Sequence, residues 1–427
     1  MNINSAIQSI RGGAFDETLR RLYPSYDSDP AKYQNRVVSL LETYREKFGE
    51  TDDIHLFSAP GRVEVGGNHT DHQHGCVLAA AVDRDAIAAA ALNGTNVIHS
   101  HSIGYGDLSI DLGDLSIHED EKDSTAALIR GTAAIFSKDG VPVTGFNVCI
   151  TSDVPGGSGM SSSAAFEVLM GEVINGLFAN GSYSPVTIAL YGQQTERNYF
   201  GKPSGCMDQM ASAVGGFVAI DFKDNAHPVI EAVSADELGA KYKLFVVDSG
   251  SAHDDLTAEY AGIPNENKLV SAYFGKDVLR EVDPADFWAN IKEIRAKAGD
   301  RAILRAIHFY EDHQRAQDEA AALKKGDIDG FLKLIRESGL SSFTHLQNVV
   351  ISGHKEHQEV AYALAACEHA LNGEGAVRVH GGGFAGTVLA FVPADKAEEF
   401  EAEVERCIFK GACRKLSIRP AGCAQVF

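Results

Sequence analysis

Apolar residues recur at three- and four-residue steps in some stretches of this chain and at alternate positions in others, and the two periods divide it into helices and strands. Near the start, Val37, Leu40, Leu41, Tyr44 and Phe48 make one apolar face, which predicts a helix from about Ala31 within a mostly helical segment, Met1 to Asp53. Ile54 to Ser58 reads as a strand that runs into Ala59-Pro60-Gly61-Arg62, where proline and glycine are expected to end regular pairing. The apolar runs Val63 to Val65 and Cys76 to Val82 then flank a polar loop, Gly66 to Gly75. Short strands and turns follow from Ala86 to Asp153, with a helix at Ala126 to Phe136 and a strand at Gly145 to Thr151.

The next apolar set, Ala164, Ala165, Val168, Leu169, Val173 and Leu177, is helical and begins directly after Pro155-Gly-Gly-Ser-Gly-Met-Ser-Ser-Ser163. A further helix, Val186 to Phe200, stops at Gly201-Lys202-Pro203, and Ser204 to Gln209 opens another. Strands are expected at Phe217 to Asp221 and Lys243 to Asp248, helices across Asp283 to Gly339 and from Ser352 to Asn372. A glycine-rich stretch, Gly381 to Gly386, precedes a strand at Thr387 to Val392 and a helix at Ala394 to Phe409.

A length of 427 residues is typical of two domains, and the break after Gly215 divides the chain into 1–215 and 216–427. The longest apolar stretches are too short to span a membrane and no basic, cleavable leader is read, so a soluble cytoplasmic protein is expected. Seven dispersed cysteines without a Cys-x-x-Cys pair indicate neither a disulfide scaffold nor a zinc ribbon. A formal net charge of −21 argues against nucleic acid or an anionic membrane as partner. An anionic ligand would have to be held against that field by local N–H dipoles, a metal ion or a few cations.

Such a local site is legible. Three glycines and four serines between Pro155 and Ala165, placed at a helix start, can turn bare backbone N–H groups toward a phosphate, although the same composition also suits an ordinary flexible loop. The loop Gly66-Gly-Asn-His-Thr-Asp-His-Gln-His-Gly75 sets many hydrogen-bonding side chains between hydrophobic walls, which suits a polyhydroxylated ligand. His69, Asp71, His72 and His74 match no metal-ligand spacing. Asp208 falls near a helix start, where local sequence alone favours a capping carboxylate, and Glu196 reads as a surface charge. The glycines from Gly381 to Gly386 fit a tight hairpin as well as a ligand loop.

Taken together, Ala59-Pro-Gly-Arg-Val63 with Gly67-Asn-His-Thr-Asp71, then Pro155 to Ala165, Gly205-Cys-Met-Asp-Gln209 and Gly381-Gly-Gly-Phe-Ala-Gly386 resemble the motifs of the galactokinase, homoserine kinase, mevalonate kinase and phosphomevalonate kinase superfamily, and among them the galactokinases. The motifs bracket residues 59 to 392, and the N-terminal fifty or so residues are left unexplained. The resemblance implies an α/β (α+β) fold of two domains, an N-terminal one with a mixed sheet and a ferredoxin-like C-terminal one, with the active site between them. It implies ATP-dependent phosphorylation of the C1 hydroxyl of galactose.

The resemblance also implies roles. Asp208 would be the general base, and Arg62 would stabilise the nucleophile and the transferring phosphoryl group. Asn68, His69, Thr70, Asp71, Gly205 and Tyr260 would bind the sugar. Gly157, Ser158, Gly159, Met160, Ser161, Ser162 and Ser163 would bind the nucleotide, with Ser163 and Glu196 holding magnesium. The expected partners are a small sugar and a nucleotide, with neither nucleic acid nor membrane, for a monomeric enzyme. The chain departs from the motif at Asn68, where the galactokinases carry a glutamate that contacts the C6 hydroxyl. A neutral amide there would tolerate a C6 carboxylate, which keeps a galacturonate 1-kinase as the alternative. A non-catalytic sugar sensor is the reading from another class, and the intact Ser163-Ala164-Ala165 with Asp208 and Arg62 speaks against it.

Overall fold

The computed structural model describes every residue except 157, 158, 203 and 252–255, and only the backbone of residue 257. Twelve strands are described: β1 (His55–Gly66), β2 (Cys76–Leu92), β3 (Val97–Ser102), β4 (Gly106–Asp111), β5 (Phe146–Ser152), β6 (Phe217–Asp221), β7 (Val229–Val233), β8 (Tyr242–Asp248), β9 (Ala376–His380), β10 (Thr387–Pro393), β11 (Cys413–Leu416) and β12 (Ala424–Gln425). They form two sheets. The larger runs β12-β1-β2-β5-β3-β4, with β6 and β7 added beside the first half of β2. Its β3–β5 pair is parallel and the rest antiparallel, so it is mixed, as expected. The smaller, β11-β8-β10-β9, is wholly antiparallel. With helices between β8 and β9 and between β10 and β11, that order is the ferredoxin-like β-α-β-β-α-β arrangement.

Two departures from the sequence reading bear on the site. β1 does not stop at Ser58: it continues through Pro60, because the pairing shifts there. Pro60 faces Asp85 and Arg62 faces Ala81, so two steps along β1 oppose four along β2. Such an irregularity is where a strand tolerates a residue without an N–H. It also frees the Arg62 N–H, which donates to Met160 O at 3.1 Å instead of to β2. Secondly, the large sheet crosses the boundary expected at 215/216, since β6, β7 and the far C-terminal β12 all belong to it.

Both faces of the large sheet are covered. Helices Thr125–Lys138, Ser162–Ala179, Pro185–Thr195 and Met207–Val214 bury one face through Ile129, Phe136, Val168, Val173 and Met210. The N-terminal helices Ile3–Arg11, Asp16–Leu22 and Pro30–Phe48 bury the other through Ile3, Ile10, Leu22, Val37 and Leu41 against Leu56, Ile87 and Ala89. The N-terminal extension is therefore the outer layer of this sheet. Asp85, fully buried, fixes it: its carboxylate accepts from Tyr23 Oη (2.8 Å), Arg36 Nη1 (2.5 Å), Ser58 Oγ (2.5 Å) and Arg419 Nη1 (2.9 Å). A third apolar cluster, with Val63, Val65 and Leu78 on one side and Val246, Leu389 and Phe331 on the other, joins the two sheets. Among the described residues no helix is long and apolar enough to cross a membrane.

Candidate active site between the sheets

Six of the fourteen α-helices described begin on a capping side chain: Asn2, Asp29, Ser124, Ser184, Asp283 and Asp327. The two that point at the cleft do not. Ser161 precedes helix Ser162–Ala179 in the left-handed region (φ 55°), and Cys206 precedes helix Met207–Val214; neither side chain caps its helix. The leading N–H groups of Ser162–Ala179 are thus left to face the glycine loop, the arrangement that attracts an anion.

The Ser161 hydroxyl turns instead to Asp208, in the first turn of the second of these helices. Ser161 Oγ donates to Asp208 Oδ2 at 2.5 Å, and Arg62 Nε donates to Asp208 Oδ1 at 2.7 Å. Arg62 Nη1 also donates to Gly159 O. Burial would push the Asp208 carboxyl up, but the Arg62 charge and these hydrogen bonds more than offset it and hold the group at about 2. Gly159 has φ 73° and lies so close to the second sheet that a Cβ would stand 2.6 Å from Thr387 Oγ1 and 2.8 Å from His380 Nδ1. His380 accepts from Glu64 N at 3.2 Å on Nε2, which fixes its proton on Nδ1, facing Thr387 Oγ1 at 3.0 Å. Burial and the nearby Arg62 and Arg378 keep this imidazole neutral.

Behind the phosphate loop, Ser163 Oγ lies 3.5 Å from Glu196 Oε1. Glu196 is not the surface charge that its helix suggested: it is 2% exposed and accepts from Lys202 Nζ (2.9 Å), Gln209 Nε2 (2.9 Å) and Ser204 Oγ. Gln209 Nε2 also donates to Glu167 Oε2 at 2.8 Å. Burial and the Glu196 charge push Glu167 well above its ordinary value. Sequence reasoning missed Lys202, Gln209 and Glu167, and Gly201-Lys202-Pro203 was read only as a helix stop.

The polar loop after β1 docks on the second glycine loop. Neutral His69, held at about 4 by burial and by His72, donates from Nε2 to Gly382 O at 2.9 Å. Tyr260 Oη donates to Gly383 O at 2.9 Å and its ring packs edge-on against Phe384. Asp71 lies against Gly205 so closely that a Cβ on Gly205 would stand 1.8 Å from Asp71 Oδ2. The structure thus brings His69 and Tyr260 to neighbouring carbonyls of the second glycine loop and Asp71 against Gly205.

Others expected at ligands are engaged elsewhere. Thr70 is fully buried, and its hydroxyl holds the loop at Gly67 O and Cys76 O. The Met160 side chain enters the core between the sheets, leaving only its backbone at the site. Asn68 is fully buried: Nδ2 donates to Glu64 Oε1 (2.7 Å) and Gly381 O (2.8 Å), while Oδ1 accepts from Ser342 Oγ (3.1 Å) and Asn348 Nδ2 (2.9 Å). Its amide is saturated by protein, which leaves it no donor or acceptor for a sugar. Ser162 stands at the first helical position. Gly157 and Ser158 lie outside the described residues. A charged residue between Val63 and Val65 was the available signal for Glu64, which the sequence reading passed over.

Two family models match the chain: the galactokinase galactose-binding signature over residues 42–92 and the GHMP kinases N-terminal domain over 127–216. The chain is 28% identical over 367 residues to a galactokinase of Glaesserella parasuis serovar 5, covering 84% of this chain and 91% of that one. It is 29% identical to a galactokinase of Actinobacillus pleuropneumoniae serotype 3, covering 84% and 90%. Among solved structures, Lactococcus lactis galactokinase complexed with galactose aligns with a TM-score of 0.77 at 24% identity, over 91% of this chain and 99% of that one. Methanococcus jannaschii mevalonate kinase aligns with a TM-score of 0.61 at 16% identity, over 86% and 99%. The motifs, the two-sheet fold and these likenesses agree: the chain is similar to the galactokinases and, more widely, to the GHMP kinases.

Proposed function

We propose that this protein transfers the γ-phosphoryl group of ATP to the C1 hydroxyl of D-galactose. The observation that carries the reading is the Arg62–Asp208–Ser161 chain, which joins the sugar-motif loop to the phosphate loop. Asp208 would orient the C1 hydroxyl and accept its proton. A carboxylate held at about 2 is a weak base, which suits a loose phosphoryl-transfer transition state in which that proton leaves late. Arg62 would stabilise charge on the transferring group. The uncapped N–H groups after Ser161 would take the nucleotide phosphates.

Magnesium is part of the proposal. Ser163 and Glu196 offer one hydroxyl and one carboxylate, a donor set that fits an ion bound mainly by phosphate and water. Among the described residues no group of three or more His, Cys, Asp or Glu is placed to cage a metal. When bound, it would neutralise charge on the β- and γ-phosphates.

Galactose is preferred to galacturonate because the acid missing at position 68 is present 2.7 Å away, on Glu64. The test is ADP release by the purified protein with ATP and galactose, galacturonate, N-acetylgalactosamine, arabinose or glucose. Galactose should give the highest kcat/KM. A clear preference for galacturonate, or sugar-dependent ATP binding without ADP release, would overturn the proposal.

A further inference from the structure

Glu64 stands two residues beyond Arg62 on a regularly paired part of β1, so both side chains leave the same face of the strand, toward the cleft. Its Oε1 accepts from Asn68 Nδ2 at 2.7 Å and from Arg378 Nη2 at 2.9 Å. Among the described residues no donor reaches Oε2. That oxygen is not sealed off, however, as both carboxylate oxygens of Glu319 are. Burial pushes the Glu64 carboxyl up to about 7, with Arg378 and Arg62 opposing the rise and Asp71 adding to it. A buried acid with one oxygen clamped and the other open is arranged to take a hydrogen bond from a ligand.

We propose that Glu64 is a specificity-determining residue that accepts a hydrogen bond from one sugar hydroxyl through Oε2, and that Asn68 and Arg378 are positioning residues that hold its other oxygen. The inference rests on the reading of the protein as a galactose kinase. It relocates discrimination from Asn68, whose amide is saturated, to Glu64. A ligand offering a carboxylate instead of a hydroxyl at that point would bring an acceptor where a donor is needed, and like charge wherever Glu64 is ionised.

The experiment is a cross of variants and substrates. Wild type and Glu64→Gln are assayed with ATP and galactose and its deoxy analogues at C2, C3, C4 and C6. If wild type does not phosphorylate galactose, the functional reading itself fails. If it does, Glu64→Gln should lose about ten- to a hundredfold in kcat/KM on galactose, the scale of a hydrogen bond to a charged group, and almost nothing on the one analogue that lacks the contacted hydroxyl. An equal loss on every sugar, as from general distortion or from a water alone at Oε2, or no loss on any, would overturn the role of Glu64. Should Glu64→Gln fail to fold, the double exchange of Glu64→Asn with Asn68→Glu keeps one acid and one amide in the network. It should change the rank order of the analogues, and an unchanged order would count against the proposal.

Discussion

Arg62 and Asp208, 146 residues apart in sequence, share a 2.7 Å hydrogen bond at the meeting point of the sugar-motif loop and the phosphate loop. Replacing Asp208 by alanine should lower kcat by about 10²- to 10⁴-fold while nucleotide affinity is largely kept. Stopped assays with isothermal titration of a non-hydrolysable ATP analogue separate the two effects. Turnover close to wild type would refute the role given to this carboxylate.

Glu196 is held by Lys202, Gln209 and Ser204 beside Ser163. If it helps to hold magnesium, Glu196→Gln should raise the magnesium concentration needed for half-maximal turnover by roughly tenfold or more, since an outer or direct carboxylate commonly carries that much affinity. A magnesium titration at saturating galactose reads this directly. Reduced turnover at an unchanged magnesium midpoint would assign Glu196 to structure alone.

Glu319 is fully buried with, among the described residues, no hydrogen-bond partner for either oxygen, against Gly66, where a Cβ would stand 1.6 Å from Oε2. Burial raises its pKa well above 4.5, with Asp312 and Glu64 adding to the rise and Arg378 and Arg315 opposing it. A group raised on folding contributes stability fully below its unfolded pKa and loses it as pH climbs toward the folded value. Glu319→Gln, of the same shape, should therefore gain on wild type as pH rises from about 5 to 8, by up to about 1.4 kcal/mol per unit. Urea unfolding at both pH values tests this. Parallel curves would mean that the carboxylate is already ionised in the folded protein.

Asp85 compensates two guanidinium groups, Arg36 and Arg419, and the latter is fully buried. Asp85→Asn leaves Arg419 without its acid and Arg36 with only the half-exposed Asp153, and should cost about 3–5 kcal/mol, with the N-terminal helices loosening first. Hydrogen exchange of Pro30–Phe48 measures that loosening. A thermal midpoint and exchange pattern like wild type would show that Tyr23, Ser58 and the amide suffice.

What was legible in the sequence was what is local. Glycine and serine runs and helical periodicity exposed the glycine-serine loop, since backbone chemistry and short spacing specify it, whereas Arg62 and Asp208 stood out only through the resemblance of their motifs. Asn68 failed this test because its partners, Ser342 and Asn348, lie 274 and 280 residues away. The same holds for Glu64, whose clamp Arg378 comes from the other sheet, and for the short β12, whose two residues carry no pattern of their own. Pro60 misled because proline ends a strand only where its N–H would be needed, and the register shift removes that need.

The return of the C-terminal tail has a mechanical consequence. After β11 the backbone pairs Ile418 with Val82, buries Arg419 beside Asp85 and ends as β12 on β1. The polypeptide therefore passes between the lobes twice, once from β7 to β8 and once from β11 to β12, and any opening of the cleft must bend both crossings together. The return also makes the last ten residues a structural part of the lobe built from the first half of the chain.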